Sequence, residues 1–332
     1  MTFKYNNVYI NDTSTITGPY ESKGPLSKYF DKSYDDLYFG TKTWELAEVK
    51  LIEESIDILL NKLEITKFDI DVLISGDLLN QIVATNYAAS SLGIPLIGIY
   101  GACSTSVLGL IIASNMVEAK QVKNAVASTS SHNNAAEKQF RYPVEYGGPK
   151  RKTTTFTSTG GASAYLSRDK KGIKVESATL GTVVDLGITD VYHMGAVMAP
   201  AAAKTIYDHL RETKREVGYY DLILTGDLGI YGKDILKDYM QTEYSIELKN
   251  YDDCGSMIYD VENQSVYAGA SGPACAPLVT YGYIFDQMKK KDIRRVLLVA
   301  TGALMNTTMV NNKNTIPAIA HAISLEVVEW FT

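Results

Sequence analysis

The sequence predicts an α/β fold made of two duplicated halves, about residues 1–170 and 171–332. Apolar segments of strand length alternate with amphipathic segments of helix length, which favours sheets covered by helices on both faces. Asp71–Leu78 resembles Asp221–Leu228, and each is an apolar run that ends in Gly-Asp-Leu. Because a helix-like segment precedes each run, the repetition indicates an internal duplication rather than chance.

A second echo places Cys103 and Cys275 at matching positions, each after an alanine and at the start of a helix-like segment. The spacing of this echo is longer than that of the first, which predicts an insertion in the second half at Tyr231–Asn263. If the two helices pack together, two mostly parallel sheets enclose a shared helical layer. The result is a layered α-β-α-β-α arrangement with a site at the junction of the halves.

Local patterns predict the individual elements. Trp44–Lys62 carries apolar residues at a spacing close to 3.6, which is typical of an amphipathic helix. Ile94–Tyr100 is an apolar run that predicts a buried strand, and Ser106–Ala119 predicts a helix directly after it. In the second half, Ala201–Glu216 predicts a shorter helix, and Ile323–Val328 predicts a strand near the end of the chain.

Composition excludes several functional classes. The 332 residues are 45% hydrophobic and carry a net charge of -6, so no basic footprint for nucleic acid is present. Three widely spaced cysteines predict neither a disulfide framework nor a zinc site. Met1–Ile10 lacks the pattern of a signal peptide, and the longest apolar runs, such as Val296–Met305, are too short to span a bilayer. Any membrane association is therefore expected to be peripheral.

The run Gly101–Ser106 is the most informative local feature, because it places Cys103 at a strand-to-helix turn. The positive end of a helix dipole favours thiolate, the reactive form of cysteine. Small residues also suit a turn where a helix packs on a sheet, and a free cysteine there can act as a small buried hydrophobe. Both interpretations remain open from this run alone.

A duplicated α/β chain with a cysteine at the start of its central helix resembles the thiolase superfamily, which includes the ketoacyl-ACP synthases. Within that superfamily the sequence is similar to the stage V sporulation protein AD family of endospore-forming bacteria. The matching motifs are Gly76–Gln81, Gly101–Ser106, Thr129–Asn133, Ala136–Pro143, Met198–Ala203, Thr225–Gly229, Asp253–Gly255 and Ile316–Ala322.

The resemblance implies a thiolase-like fold and a non-catalytic role in sporulation. Members of this family bind dipicolinic acid (pyridine-2,6-dicarboxylate) and act with stage V sporulation membrane proteins in its uptake into the developing spore. The resemblance further implies a homodimer placed peripherally on the cytoplasmic face of the forespore or spore inner membrane. It implies no resident cofactor and leaves open whether calcium accompanies the ligand.

The alternative is an acyltransferase or condensing enzyme with Cys103 as its nucleophile, and a third possibility is a purely structural scaffold. Ketoacyl-ACP synthases use a histidine and an asparagine or second histidine from their second half to activate the thiol. The matching positions here fall in Thr225–Leu228 and Gly269–Pro273, where Asp227 and Ser271 stand instead. We therefore expect no condensing activity.

The expected ligand site gathers residues around the cysteine turn. Arg141 suits a carboxylate with two parallel hydrogen bonds, although it also stands four residues after Glu137 and could pair with it. Backbone N–H groups at the helix start would hold the second carboxylate. Asp77 and Asp227 are each expected to cap the helix that follows. The predicted ligand-binding residues are Cys103, Ser104, Ser131, His132, Arg141, Tyr142, Asp227, Ser271 and His321. His132 could instead be a loop cap, and His321 could face the core.

Overall fold

The computed structural model describes residues 1–140 and 150–328. In these ranges the strands are β1 Thr2–Lys4, β2 Tyr9–Thr17, β3 Lys32–Ser33, β4 Leu73–Gly76, β5 Leu96–Gly98, β6 Asn124–Ser131, β7 Phe156–Thr157, β8 Gly160–Ser167, β9 Ile173–Thr179, β10 Leu222–Thr225, β11 Tyr251–Asp253, β12 Ala270–Ser271, β13 Arg295–Ala303 and β14 Ala318–Val327. The helices are α1 Trp44–Leu63, α2 Val83–Leu92, α3 Thr105–Glu118, α4 Asn133–Phe140, α5 Met194–Thr213, α6 Gly229–Tyr244, α7 Cys275–Pro277, α8 Phe285–Lys289 and α9 Thr307–Asn311, with a π-helical segment Leu278–Ile284 that joins α7 to α8.

The main sheet repeats one strand order in both halves. Its hydrogen-bonded path is β11-β10-β13-β14-β9-β2-β8-β6-β4-β5, with β1 on β9 and β3 on β2. Numbered within each half, the five main strands follow the order 3-2-4-5-1 twice, mirrored about the β9–β2 contact. The turn between β8 and β9 spans residues 168–172, and we propose it as the boundary between the halves.

The expectation of two separate, mostly parallel sheets was wrong. Hydrogen bonds from Tyr9 and Ile10 to the start of β9 join the halves into one continuous sheet. In each half the fifth strand, β8 or β14, runs antiparallel to both of its neighbours, so the sheet is mixed. The parallel pairs are confined to the outer strands and the short β2–β3 and β7–β12 ladders.

The helices form three layers around this sheet. α3 packs on β4 and β6 of its own half and on β13 and β14 of the other, while the π-helical segment packs on β2 and β8. Leu110 of α3 and Leu278 of the π-helical segment belong to the same buried core. α1 and α2 cover the outer face of the first half, and α5 and α6 cover that of the second. The cysteine turn therefore lies between the halves.

Most predicted elements occur near their predicted bounds. α1 and α3 match the expected helices, whereas α5 begins at Met194, earlier than the pattern around Ala201 indicated. The strand predicted over Ile94–Tyr100 is shorter and lies at a sheet edge, so β5 is partly exposed. The extra residues of the second half lie mainly between β11 and α7, further along the chain than predicted.

Glu48 of α1 is fully buried and provides a test of the core. Its Oε1 accepts a hydrogen bond from Ser130 Oγ at 3.1 Å, and Oε2 has no partner among the described residues. Burial first, and the charge of Asp77 second, raise the pKa of Glu48 well above its usual value. The folded state thus favours the protonated carboxyl, and the stability it contributes at low pH is lost as pH rises from the unfolded pKa towards the folded one.

We expect Glu48→Gln to be more stable than the unchanged protein at about pH 8, by on the order of 1 kcal/mol, and less so at about pH 5. Glutamine keeps an acceptor for Ser130 and does not ionise. Thermal unfolding at both pH values measures the difference, with Glu53→Gln on the same helix as a control. If the stability gain of Glu48→Gln were no larger at about pH 8 than at about pH 5, the raised pKa of Glu48 would be contradicted.

Candidate functional site

The turn from β5 into α3 presents Cys103 to the junction of the halves. Ala102 adopts the left-handed conformation with φ 49°, which is strained for a residue with a Cβ and reverses the chain direction just before the cysteine. Ser104 Oγ donates to Gly101 O at 2.6 Å, and Thr105 Oγ1 donates to Ala102 O at 2.7 Å. These bonds hold the turn, and Cys103 keeps partial exposure towards the cleft.

The second half places Asp227 against the cysteine. The Asp227 carboxylate accepts hydrogen bonds from Thr301 Oγ1 at 2.6 Å and from the Gly272 N–H at 3.0 Å, and it faces the Cys103 thiol closely enough for each group to shift the pKa of the other. Gly272 has φ 100°, and a Cβ there would lie 2.9 Å from Ser131 Oγ, so this turn requires glycine. Two loops from different halves thereby meet at one thiol–carboxyl pair.

The expected capping role holds for Asp77 and fails for Asp227. Asp77 accepts from the Thr85 N–H in the first turn of α2 and from the Leu79 N–H that precedes this helix. At the start of α6 the Leu228 and Gly229 N–H groups donate instead to Asp253, the last residue of β11. Asp227 is thus free to point into the cleft.

Electrostatics keep the Cys103 thiol protonated. Burial first, then the charge of Asp227, raise the pKa of the Cys103 thiol well above its usual value. Burial also raises the pKa of Asp227 to about 6, against the opposing hydrogen bonds from Thr301, Cys103 and Gly272. Of the two interpretations that the sequence left open, the raised pKa favours the unreactive cysteine, because burial and a facing carboxylate outweigh the helix dipole.

A cavity of about 60 Å³ opens beside this pair, room for roughly four to six water molecules. Its wall is mostly apolar and carries two acids, Glu137 and Asp227; no lysine, arginine or histidine is among its described lining residues. The lining consists of Leu78, Tyr100, Cys103, Ala136, Glu137, Phe140, Thr155, Thr157, Met194, Met198, Asp227, Ser271, Gly272, Ala303 and Met305.

Three of the nine predicted residues, Cys103, Asp227 and Ser271, line this cavity. Ser104 is buried behind the turn, and its N–H already donates to Gly101 O, so it offers no donor to a ligand. Ser131 is buried and donates to Ser158 O at 2.7 Å. Arg141 and Tyr142 lie outside the described residues, as does the pairing of Arg141 with Glu137.

The histidines lie elsewhere. His132 is buried, with Nε2 2.8 Å from Leu37 O and Nδ1 accepting from the Ala135 N–H, which is the loop-cap arrangement. His321 is buried in β14, and its Nδ1 accepts from the Gly181 N–H. His193 caps α5, and His209 contacts Thr179 and Tyr220. None of the four histidines hydrogen-bonds Cys103, so the thiol lacks a histidine base.

Sequence reasoning missed Glu137 and most of the apolar wall. Ala136, Glu137 and Phe140 share one face of α4, a short helix whose apolar pattern is weak. The opposite faces of that helix make other contacts, since Lys138 pairs with Glu45 and Gln139 donates to Leu78 O. The only sequence signal was that α4 belongs to the motif that contains His132.

The variant Asp227→Asn tests whether the Asp227 carboxylate only raises the pKa of the Cys103 thiol or acts as the base that accepts its proton. Removing the facing charge should lower the pKa of the Cys103 thiol, so alkylation by iodoacetamide at about pH 8 should become several-fold faster. Mass spectrometry of the labelled protein measures the rate at Cys103, because Cys254 and Cys275 are fully buried. Slower alkylation in the variant would mean that Asp227 accepts the thiol proton.

A family profile and a curated relative both match this chain over most of its length. A profile of the family described as stage V sporulation protein AD (SpoVAD) matches residues 1–326. The stage V sporulation protein AD of Bacillus subtilis (strain 168) is 48% identical over 320 residues, covering 96% of this chain and 94% of that protein.

Two solved structures share the architecture of this chain. OleA from Xanthomonas campestris matches with a TM-score of 0.61 and 13% identity, over 98% of this chain and 99% of that chain. A 3-oxoacyl-[acyl-carrier-protein] synthase III from Aquifex aeolicus VF5 matches with a TM-score of 0.59 and 12% identity, over 96% and 99%. At these identities the likeness is one of fold, and it confirms the predicted thiolase-like, layered arrangement.

Proposed function

Because this chain belongs to the stage V sporulation protein AD family, a sporulation family with a thiolase-like fold, we propose that it binds dipicolinate without transforming it. The observation that carries the proposal is the Cys103–Asp227 pair. Its thiol has a raised pKa and no histidine base, so the position of a condensing nucleophile holds an unactivated sulfur. The proposal assigns the cavity beside it to the ligand.

The wall of the cavity supports a small planar ligand. Tyr100 and Phe140 offer ring faces to a pyridine, and Thr155, Thr157 and Ser271 offer hydroxyl groups to carboxylates. A dianion beside Asp227 is favoured when that carboxyl is protonated and can donate a hydrogen bond. With the pKa of Asp227 at about 6, we expect dipicolinate to bind more tightly at about pH 5 than at about pH 7.5.

One feature favours a condensing enzyme as the second candidate. The backbone N–H groups of Cys103 and of Gly272, the latter bonded to Asp227, lie near enough to the sulfur to lower the thiol pKa in opposition to burial. Such donors suit a thioester oxyanion as well as a carboxylate. A condensing enzyme also needs a base that takes the thiol proton, and these N–H groups cannot do so. The condensing enzyme is therefore the second candidate.

Calorimetric titration with dipicolinate, beside incubation with acyl-CoA and mass measurement of Cys103, separates the two candidates. Binding heat without an acyl adduct is expected. A stoichiometric thioester would replace the proposal with the acyltransferase, and neither signal would favour a structural scaffold. Repeating the titration with calcium chloride tells whether calcium enters with the ligand; the proposal needs no resident cofactor.

The place of action and the partners belong to the same proposal. Among the described residues, no helix combines the length and apolarity that crossing a bilayer needs. We propose peripheral attachment to the cytoplasmic face of the forespore or spore inner membrane, beside other stage V sporulation membrane proteins. We further propose a homodimer, supported by β5, an edge strand whose residues Leu96–Gly98 are partly or fully exposed. A single-copy mass in sedimentation equilibrium at high concentration would overturn the homodimer.

A further inference from the structure

A mostly buried lysine stands directly behind one acid of the cavity wall. Lys150 Nζ lies 3.4 Å from Glu137 Oε2, and the two side chains are only 13% and 11% exposed. The ammonium group also lies 5.9 Å from the ring centroid of Phe156, whose neighbours Thr155 and Thr157 line the cavity. A positive charge is thus held within one side-chain length of the ligand site.

Stability does not account for this ion pair. Removing two charges from water offsets most of their attraction, and an apolar pair of similar size would serve the fold equally well. Among the described residues of the cavity wall, the charged side chains are the two acids Glu137 and Asp227. A dicarboxylate would enter against repulsion unless a cation within reach turned towards it.

We propose that Lys150 is the cation that receives one ligand carboxylate, and that Glu137 neutralises it while the cavity holds no ligand. The inference rests on the proposed function and deepens it, because it names the charge that selects a dicarboxylate. A lysine has three donors on a flexible stem, so it can leave one carboxylate for another 3–4 Å away with little rearrangement of the backbone. Glu137 then competes with the ligand for the same ammonium group.

Calorimetry on four single variants tests this competition with dipicolinate and with picolinate, which has one carboxylate. Lys150→Met should weaken dipicolinate binding about tenfold or more and narrow its advantage over picolinate. Lys150→Arg should bind nearly as the unchanged protein does. Glu137→Gln should bind dipicolinate several-fold more tightly, because the ammonium group loses its competitor. Lys152→Met removes an exposed lysine nearby and should change nothing.

The outcomes separate this inference from the proposed function. Unchanged affinity in a folded Lys150→Met, as judged by thermal unfolding, would overturn the lysine's role and leave dipicolinate binding in place. Weaker binding in Glu137→Gln would also overturn it and would make Glu137 a ligand contact or a calcium ligand. If Glu137→Gln binds dipicolinate and the unchanged protein does not, the lysine's role is supported and the proposed function of the unchanged protein is overturned. If neither the unchanged protein nor Glu137→Gln binds dipicolinate, the lysine's role and the proposed function are both overturned.

Discussion

Replacing Asp253 by alanine should destabilise the protein by roughly 3 kcal/mol or more, because three donors lose their acceptor in a fully buried place. The Asp253 carboxylate accepts from Thr225 Oγ1 at 2.7 Å and from the Leu228 and Gly229 N–H groups at 2.9 Å each. The residue has no exposed surface, so these bonds are made away from bulk solvent. A fall in Tm of roughly 5 °C or more is expected in thermal unfolding.

Two further variants make this prediction sharp. Asp253→Asn keeps one acceptor oxygen and should lose about half as much stability, whereas Glu262→Ala, an exposed acid in the connection that follows β11, should change Tm little. Burial raises the pKa of Asp253 to about 7, so its contribution declines as pH rises from about 4 to about 7. The gap between the unchanged protein and Asp253→Asn should therefore narrow over that range. A loss below about 1 kcal/mol in Asp253→Ala would contradict the assigned cap.

The same variant should disturb the ligand site. Asp253 fixes the N–H groups of Leu228 and Gly229, the two residues after Asp227, and α6 begins there. Loosening this start should let Asp227 move away from Cys103. We therefore expect faster alkylation of Cys103 and weaker dipicolinate binding together, which links the stability of the second half to the state of the thiol.

The divergence of the two Gly-Asp-Leu turns explains what sequence could and could not predict. The echo correctly predicted equivalent turns, and the resemblance correctly predicted the fold. Identical triplets gave no indication that Asp77 caps a helix while Asp227 faces a thiol. That difference arises from Asp253, which ends β11 beside β10 and so lies at the start of α6. The sequence around a helix start does not indicate that its N–H groups will be capped by a residue far along the chain.

The charge state of Cys103 was missed for a related reason. A helix start favours thiolate by a modest amount, and this was visible in the sequence. The opposing effects, burial between two halves and a carboxylate from the other half, exist only after the halves pack together. Glu137 was missed likewise, because the cavity that it lines together with Met194 and Met198 of the second half exists only once the halves are packed.

Ala303→Trp should abolish dipicolinate binding, with an affinity loss of about a hundredfold or more. Ala303 ends β13 and lines the cavity, so an indole at this position would occupy the space beside the Cys103–Asp227 pair that dipicolinate, a ligand of similar size, needs. Ala303 is only half-buried, so the added ring can occupy the cavity and its mouth without displacing the core. The fold should therefore survive, with a Tm close to that of the unchanged protein.

Calorimetry on Ala303→Trp and on Ala303→Ser, which adds one atom and should bind within a few-fold of the unchanged protein, measures the effect. The two Ala303 variants complement the Lys150 and Asp227 variants. Those change the charge near the cavity, whereas Ala303→Trp changes only the volume that is open to the ligand. A tryptophan variant that still binds dipicolinate normally would place the ligand elsewhere. The wide surface groove formed by Tyr20, Tyr38 and Trp44 would then be the next site to block.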